Sequence, residues 1–335
     1  MANCAGIDIG GNNCKIAVRE GGKVRLISAR MPENTTDEGR ITSPETMASF
    51  LRQVRSGQHV REKACNLVLS SSQAFFRHVT LPAMSESEVV LNLPYEFRDF
   101  ISGDAGEYTY DYAVDEIVLD DAGKAVGLEL FAAACPKKLS TSYESILRKA
   151  GFKLRGIIPA PLGYMRLLRS HIERVPADAE KDVVFVDIGH TDVTVSLFRG
   201  AHYEASKTIE FGCDEIDNVI AETYGIDPYT ASSYKYNNFD GALDTPQCQM
   251  VYDRFAIEVS RVVNFYNFNT PEQNIEQMYF LGGGAQIPQL TSHIAEAVSV
   301  PSDSIEVLLP PEARGQEHGP IAALAVAAML EGEAM

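Results

Sequence analysis

One motif occurs twice in this chain of 335 residues, first near its start and again just past its middle. The copies are residues 5–12 (AGIDIGGN) and 185–191 (FVDIGHT), and a second apolar run after each stops at a glycine thirteen residues beyond the aspartate. A buried strand that ends in aspartate before a glycine turn directs a carboxylate and free backbone N–H groups at one point. The duplication therefore predicts two lobes that face one ligand, and a metal-bound polyphosphate suits this chemistry.

The residues of the two turns are the candidate contacts of that polyphosphate. Glycines permit positive φ and leave room for phosphate oxygens, and asparagines tolerate the same backbone region. Because Mg²⁺ keeps much of its hydration and accepts one or two carboxylates, Asp8 and Asp187 are the predicted metal ligands, with turn capping as their alternative role. The predicted contacts are Asp8, Gly10, Gly11, Asn12, Asn13, Lys15, Asp187, Gly189, His190 and Thr191.

Two of these residues keep a second interpretation. Lys15 begins a strand, where its ammonium can meet phosphate charge or simply be solvated. His190 lies in a turn without a partner that the sequence identifies, so an inert turn histidine is its alternative.

Three consecutive glycines, Gly282, Gly283 and Gly284, follow the apolar strand 278–281 and precede a helix with Pro288 near its start. A strand-to-helix turn needs one glycine, whereas three allow the backbone to approach a flat ring or a sugar. The triplet therefore predicts a third part of the ligand site.

Composition excludes several classes of protein. Lys and Arg number 29 against 46 Asp and Glu, a net charge of −17, which disfavours nucleic-acid binding. The six cysteines form no Cys-x-x-Cys pair, as expected of reduced core residues in a cytosolic protein. The longest apolar stretch, 321–330, is half of the roughly 20 residues that span a bilayer, and no apolar leader precedes the first strand.

The order of predicted elements divides the chain into lobes. We expect a first lobe from residues 1–83 and 157–180, and a second lobe from 181–318. A helix, two strands and a helix form a predicted insertion at 84–156. Ser85 and Glu88 make a capping box at its start, and Pro94 should kink or split the first helix. A closing apolar helix at 319–335 is expected to return to the first lobe. The insertion's first helix has a predicted apolar stripe of Val89, Val90, Leu93, Phe97, Phe100 and Ile101.

With these pieces in order, the chain resembles the actin-like ATPase superfamily and, within it, the family of the type IV pilus assembly protein PilM, a relative of the cell-division protein FtsA. The likeness covers nearly the whole chain. It rests on the two Asp-Ile-Gly turns, the triple glycine, and the stretches 77–84 (RHVTLPAM) and 110–114 (YDYAV) in and beside the insertion. The resemblance implies an α/β, actin-like (ribonuclease H-like) two-lobed ATPase fold with a small inserted α+β subdomain in the first lobe.

The resemblance also implies ligands and partners. ATP and Mg²⁺ would lie between the lobes, with the triple glycine near adenosine, Gly212 among the nucleotide contacts before a helix, and Lys235 near the ribose. Ser232 stands where the family usually has a glutamate. A groove beside the insertion would bind a short N-terminal cytoplasmic peptide of a PilN-like inner-membrane protein. The expected role is a cytoplasmic scaffold at the inner face of the membrane, held by that partner, without nucleic acid or direct membrane insertion and with self-association left open.

Two other functions stay open at this stage. A small-molecule kinase of the sugar-kinase type shares the two-lobed core but needs a general base over a substrate hydroxyl, which the sequence does not reveal. An FtsA-like membrane-tethered filament protein would need a basic amphipathic C-terminal helix, whereas residues 330–335 (LEGEAM) are short and acidic. No residue is assigned to orient water for hydrolysis, so we expect slow or absent ATP turnover.

Overall fold

Each copy of the duplicated motif forms an antiparallel hairpin at the centre of its own five-stranded sheet. The computed structural model describes residues 4–37, 40–101, 103–269 and 274–330. Its strands are β1 (Cys4–Ile9), β2 (Asn13–Glu20), β3 (Lys23–Arg30), β4 (Thr36–Asp37), β5 (Arg40–Ile41), β6 (Ala64–Leu69), β7 (Phe75–Pro82), β8 (Tyr108–Leu119), β9 (Ala125–Pro136), β10 (Lys153–Pro159), β11 (Asp182–Ile188), β12 (Val193–Arg199), β13 (His202–Ile209), β14 (Gln277–Leu281) and β15 (Ser302–Ser304).

Helices cover the sheets, and short 3₁₀ turns join several of the elements. The helices are α1 (Pro44–Gly57), α2 (Glu86–Glu96), α3 (Lys137–Lys149), α4 (Ala160–Ile172), α5 (Asp214–Tyr224), α6 (Pro228–Asn237), α7 (Pro246–Asn269), α8 (Pro288–Val298) and α9 (Ala323–Met329). Within the described ranges, none of them is long and apolar enough to cross a bilayer.

The sheet of the first lobe has the order β10-β6-β1-β2-β3. Strand β1 pairs antiparallel with β2 and parallel with β6, and β6 pairs parallel with β10. Helices α1 and α3 cover one face, where Ile7, Ile16 and Leu67 pack against Leu51 and Tyr143. Each of these side chains is almost fully buried, and such burial stabilises the fold by roughly 1.5–3 kcal/mol per large apolar side chain.

The sheet of the second lobe repeats this arrangement in the order β13-β12-β11-β14-β15. Strand β11 pairs antiparallel with β12 and parallel with β14, as β1 does with β2 and β6. The carboxyl ends of β1 and β11 are therefore the places where the two aspartates stand, each directly before its own turn.

The insertion is a three-stranded antiparallel sheet, β7-β9-β8, with α2 packed against β8. Its limits differ at both ends from the predicted 84–156. Strand β7 belongs to this sheet because Phe75 to Pro82 pair with β9. Helix α3 belongs to the core of the first lobe, and β10 completes that lobe's sheet. The structure thus places the insertion at about residues 75–136.

Helix α2 starts at the predicted capping box, where Glu88 accepts a hydrogen bond from the Ser85 backbone N–H at 2.8 Å. The apolar stripe is only partly correct: Val90 is 53% exposed, because only the side of α2 with Val89 and Leu93 is buried. Phe100 is 50% exposed and lies beyond the end of the helix. Pro94 lies inside the helix rather than splitting it, and the helix ends two residues later at Glu96.

One apolar core is shared by both lobes. Helices α4 and α9 pack against each other and against the first lobe's sheet, with α9 on β1, β2 and β6. The Tyr164 ring of α4 stacks on Phe185 of β11 with centroids 4.5 Å apart and planes within 8°. The closing helix is formed by Ala323–Met329 and is buried as predicted from its composition, while residues 331–335 of the predicted 319–335 segment lie outside the described residues.

Candidate functional site

The first turn follows β1 and is closed by its own backbone and one ion pair. The Gly10 N–H donates to the Asn13 carbonyl at 3.1 Å, and the Lys15 ammonium lies 3.1 Å from Asp8 Oδ2. A Cβ at Gly10 would come within 2.6 Å of Lys15 Nζ. Gly10 and Gly11, which the sequence allows to adopt positive φ, do not adopt it. Glycine at position 10 leaves room for the Lys15 side chain to lie over the turn and meet the aspartate.

The second turn is built in the same way and is supported from behind. The Gly189 N–H donates to the Asp192 carbonyl at 2.9 Å. The loop before α5 then donates to this turn, from Cys213 N–H to the Gly189 carbonyl at 3.1 Å. Gly212 makes this approach feasible, since a Cβ there would lie 2.3 Å from the His190 carbonyl oxygen. Gly212 therefore supports the second turn from behind.

The two turns face each other across one cleft. A Cβ on Gly11 would lie 3.4 Å from His190 Cβ and 3.6 Å from Thr191 Oγ1. The cleft has a volume of about 360 Å³. Its lining includes Asp8, Gly10, Gly11, Asn12, Asn13, Lys15, Ser70, Ser71, Tyr164, Asp187, Gly189, His190, Thr191, Asp192, Lys235, Gly282, Gly283 and Gln286.

The charges at the centre of the cleft are strongly coupled. Burial raises the pKa of Asp187 to about 7; Lys15 opposes the rise, and the charges of Asp8 and Asp192 add to it. Burial also lowers the pKa of Lys15, but Asp8 and Asp187 outweigh it and the pKa of Lys15 is raised. Lys15 therefore stays protonated between two carboxylates, and the site holds more negative charge than this one ammonium compensates.

The remaining titratable groups of the second turn are shifted mainly by burial. Burial and the nearby charge of Lys235 lower the pKa of His190, so its imidazole is neutral at neutral pH. Burial likewise raises the pKa of Asp192. A neutral histidine presents one N–H donor and one acceptor to a ligand, and adds no positive charge.

The triple glycine allows close packing against β11 as much as it allows a ligand to enter the cleft. Gly282 has φ +82°, and a Cβ there would lie 2.5 Å from both Asp187 Oδ1 and the Ile188 carbonyl oxygen. A Cβ at Gly284 would overlap the Ile188 side chain. Only at Gly283 would a Cβ meet nothing within 4 Å. Two of the three glycines thus fit the loop against β11, and the third leaves the cleft open.

Lys235 reaches the edge of the cleft from α6 and is held by a buried carboxylate. Its Nζ lies 2.7 Å from Asp217 Oδ2 and donates to the Cys213 carbonyl at 3.1 Å. Burial raises the pKa of Asp217, against the attraction of Lys235. Ser232 is buried in the same helix, so Asp217 of α5 is the acid that accompanies this lysine.

The structure brings most of the predicted site residues into one cleft, and two of them are not part of its lining. Gly212 and Gly284 do not line the cleft, because each packs beneath the second turn. The sequence analysis missed Asp192, Tyr164 and Ser71. Asp192 stands directly after the predicted turn and could have been included, whereas Tyr164 and Ser71 follow strands β10 and β6 without any local signal.

The donor set fits a magnesium ion that arrives with a polyphosphate. In the ranges that the structure describes, no cluster of three or more His, Cys, Asp or Glu side chains could hold a metal by itself. Magnesium usually takes one or two carboxylates and fills its other positions with water and phosphate oxygens. Asp8 and Asp187 would be that pair, and the uncompensated charge of the cleft favours a cation.

Comparison with protein families agrees with the geometry. The family model of type IV pilus assembly protein PilM matches residues 6–313, nearly the whole chain. The chain belongs to the PilM family. No curated protein sequence matches this PilM family member at a significant level.

Solved structures show the fold of this PilM family protein. A structure described as a PilM-PilN type IV pilus biogenesis complex matches with a TM-score of 0.82 at 19% identity, covering 98% of each chain. The ethanolamine utilization protein EutJ from Carboxydothermus hydrogenoformans matches with a TM-score of 0.60 at 13% identity, over 99% of this chain and 90% of its own. MreB 5 of Spiroplasma citri bound to AMPPNP matches with 0.52 at 10% identity, over 98% and 95%. The predicted actin-like fold is confirmed.

Proposed function

We propose that this protein is a nucleotide-binding scaffold of a type IV pilus assembly machine. Mg-ATP occupies the cleft, and a short cytoplasmic peptide of a PilN-like inner-membrane protein binds beside the insertion, holding the chain at the inner face of the membrane. The observation that carries the nucleotide part is the opposition of the two turns, with Lys15 between Asp8 and Asp187. Two structures of similar fold, MreB 5 bound to AMPPNP and the PilM-PilN complex, support the nucleotide part and the peptide part respectively.

The charge of the cleft predicts how nucleotide binds. Bound Mg²⁺ supplies positive charge to the phosphates and to the carboxylates of Asp8 and Asp187. Without the metal, a triphosphate meets the acidic side chains of Asp8, Asp192 and Asp187 against the one ammonium of Lys15, since Lys235 is already paired with Asp217. Asp187, with a pKa of about 7, is about half ionised at neutral pH. Binding should therefore depend strictly on the divalent cation. Gly10, Gly11 and Gly189 carry no side chain and so leave room for phosphate oxygens at the two turns.

Hydrolysis should be slow or absent. Of the described residues in the cleft, Asp8 and Asp187 serve as metal ligands, and His190 is neutral and half-buried. We assign none of the others to the orientation of an attacking water. The nucleotide then acts by holding the lobes in one arrangement. The fraction of molecules in that arrangement depends on how much more tightly the nucleotide binds it than other arrangements.

A second, aromatic groove suits the peptide. It has a volume of about 190 Å³ and lies between the insertion and strand β13 of the second lobe. Ser71 lines both this groove and the nucleotide cleft, so a change in lobe closure would reshape the two together. The lining is Ser71, Ala74, Phe75, Phe76, Arg77, Phe97, Phe100, Tyr203 and Ser206.

Calorimetric titration with Mg-ATP tests the cleft. We expect Asp8→Asn to abolish measurable binding and excess EDTA to do the same for the unmodified protein. The control Asp121→Asn changes an exposed carboxylate in the β8–β9 turn and should bind normally. Unchanged affinity in Asp8→Asn, with melting temperatures equal across the set, would show that the nucleotide site is elsewhere.

Fluorescence anisotropy with a synthetic copy of the partner's cytoplasmic N-terminus tests the groove. Phe100→Ala should weaken peptide binding, because this half-exposed ring closes the groove and lies under the Arg77 guanidinium at 5.0 Å. Phe268→Ala removes an equally large and more exposed ring from α7 and serves as the control. Equal peptide affinity of the two variants would refute this groove. Self-association stays a prediction.

A further inference from the structure

Positive charge is concentrated at one end of the first lobe, although the chain as a whole carries −17. Three segments, residues 19–25, 55–63 and 148–153, together contain nine Lys and Arg and two Glu. We call these three segments the basic end. Six of its cations are exposed: Lys23, Arg61, Lys63, Arg148, Lys149 and Lys153.

The three segments meet in space. The Arg25 guanidinium, at the β2–β3 turn, donates to the Gln58 carbonyl after α1 at 2.9 Å. The Lys153 N–H donates to the Lys63 carbonyl at 2.6 Å, which joins the starts of β10 and β6. Between 19–25 and 57–62 the surface forms a hollow of about 620 Å³. The basic end is therefore one continuous surface.

The two glutamates do not neutralise it. Glu62 is buried at 8% exposure, and its Oε2 has no hydrogen-bond partner among the described residues. Glu20 is held by Arg25, whose hydrogen bond lowers the pKa of Glu20. Two carboxylates from outside these segments oppose part of the charge: Glu45 pairs with Lys149, and Glu312 lies 3.4 Å from Arg19. Among the described residues, the other five exposed cations of the basic end form no ion pair and face solvent.

The basic end lies opposite the nucleotide cleft. Strands β1, β6 and β10 are parallel; their starts, at Cys4, Ala64 and Lys153, lie at the basic end. Their other ends lead to the first turn, to Ser70 and Ser71, and to Ala160, all of which line the cleft. At about 3.3 Å per residue, six-residue strands separate the two ends by about 20 Å.

We propose that the basic end binds the anionic phospholipid surface of a membrane directly, by electrostatic attraction and without insertion. A flat anionic lipid surface suits this end because its cations are spread over three segments of the chain that meet at one surface. The acidic remainder of the chain does not prevent contact, because charges beyond about 8 Å are largely screened at physiological ionic strength. Binding through this end leaves the nucleotide cleft facing away from the lipid. The inference does not require that the cleft bind nucleotide.

Vesicle co-sedimentation of the full chain tests this. We expect binding to vesicles of phosphatidylcholine mixed with an equal amount of phosphatidylglycerol, and none to phosphatidylcholine alone. Binding should disappear near 1 M salt, where the Debye length is about 3 Å. The double variant K23E/K153E should lose affinity by at least about 30-fold, since each lost lysine contributes about fivefold and each added glutamate is repelled by the anionic surface.

The matched control is K124E/K138E, which changes the net charge equally at exposed lysines in the β8–β9 turn and at the start of α3. It should bind the mixed vesicles as the unmodified protein does. Absence of binding by the unmodified protein, or equal losses in both double variants, would overturn the proposal. Binding to polyglutamate without binding to the vesicles would assign the surface to an acidic protein and also overturn it. Circular dichroism melting of each variant separates loss of binding from loss of fold.

Discussion

Replacing Gly282 by alanine should damage both the fold and the cleft, while the same change at Gly283 should not. Gly282 has φ +82° and ψ −176°, a backbone region that costs other residues about 1–3 kcal/mol. Its new Cβ would also lie 2.5 Å from the Ile188 carbonyl oxygen, which is fixed in β11. Such overpacking typically costs a further 1–3 kcal/mol, so we expect a total near 3 kcal/mol.

Thermal melting measures this effect. Unfolding entropy is about 2.1 cal/mol/K per residue, which for 335 residues makes 3 kcal/mol equal to a fall in Tm of about 4 °C. Gly283→Ala should stay within about 1 °C, because a Cβ there meets nothing within 4 Å and surface changes usually cost under ~0.5 kcal/mol.

The same pair of variants tests the proposed metal site. The Gly282 Cβ would press on Asp187 Oδ1, so Mg-ATP affinity should fall by about 10–100-fold, as for the loss of groups that orient metal ligands. Two results would refute this account of the loop. One is a Tm of Gly282→Ala within about 1 °C of the unmodified protein, and the other is equal Mg-ATP affinity of the two variants.

Three further predictions concern packing and charge elsewhere. Asp115, buried in the insertion, accepts hydrogen bonds from Arg169 at 2.8 Å and His202 at 2.7 Å, so Asp115→Ala should cost about 2 kcal/mol in urea unfolding; strict additivity with His202→Ala would contradict a direct coupling. Burial raises the pKa of the Cys213 thiol to about 12, so peptide mapping should find it unalkylated until the protein is unfolded, and rapid native labelling would refute this. Hydrogen bonds from Lys181 and His171 lower the pKa of Asp178; the stability that its carboxylate adds is complete above its unfolded pKa and should be lost below about pH 4, so a deficit of Asp178→Asn that is constant with pH would be inconsistent.

The sequence was most informative where structure is local. The two Asp-Ile-Gly hairpins and the helix start at Ser85 follow from short patterns, since the atoms involved are neighbours along the chain. The limits of the insertion could not be read in this way. Strand β7 has the composition of any half-buried strand, and only its pairing with β9, far along the chain, assigns it to the insertion's sheet.

The candidate site shows the same division. The sequence does not distinguish the roles of Gly283 and Gly284, which are neighbouring glycines in one triplet. In the structure, Gly284 packs beneath Ile188, whereas Gly283 leaves space in the cleft. Asp217 could not be predicted as the partner of Lys235, because two helices must first pack together to bring them to 2.7 Å. Burial decides which side chains line a cleft, and burial depends on contacts that short patterns do not encode.

The stacking of Tyr164 on Phe185 determines which relative movements of the two lobes cost little free energy. Parallel aromatic rings can slide or twist over each other and keep most of their contact, but pulling them apart exposes both faces to water. The two lobes should therefore rotate relative to each other about this stacked pair, and the two rings should not separate. Either half produced alone would present a bare aromatic surface and should be insoluble.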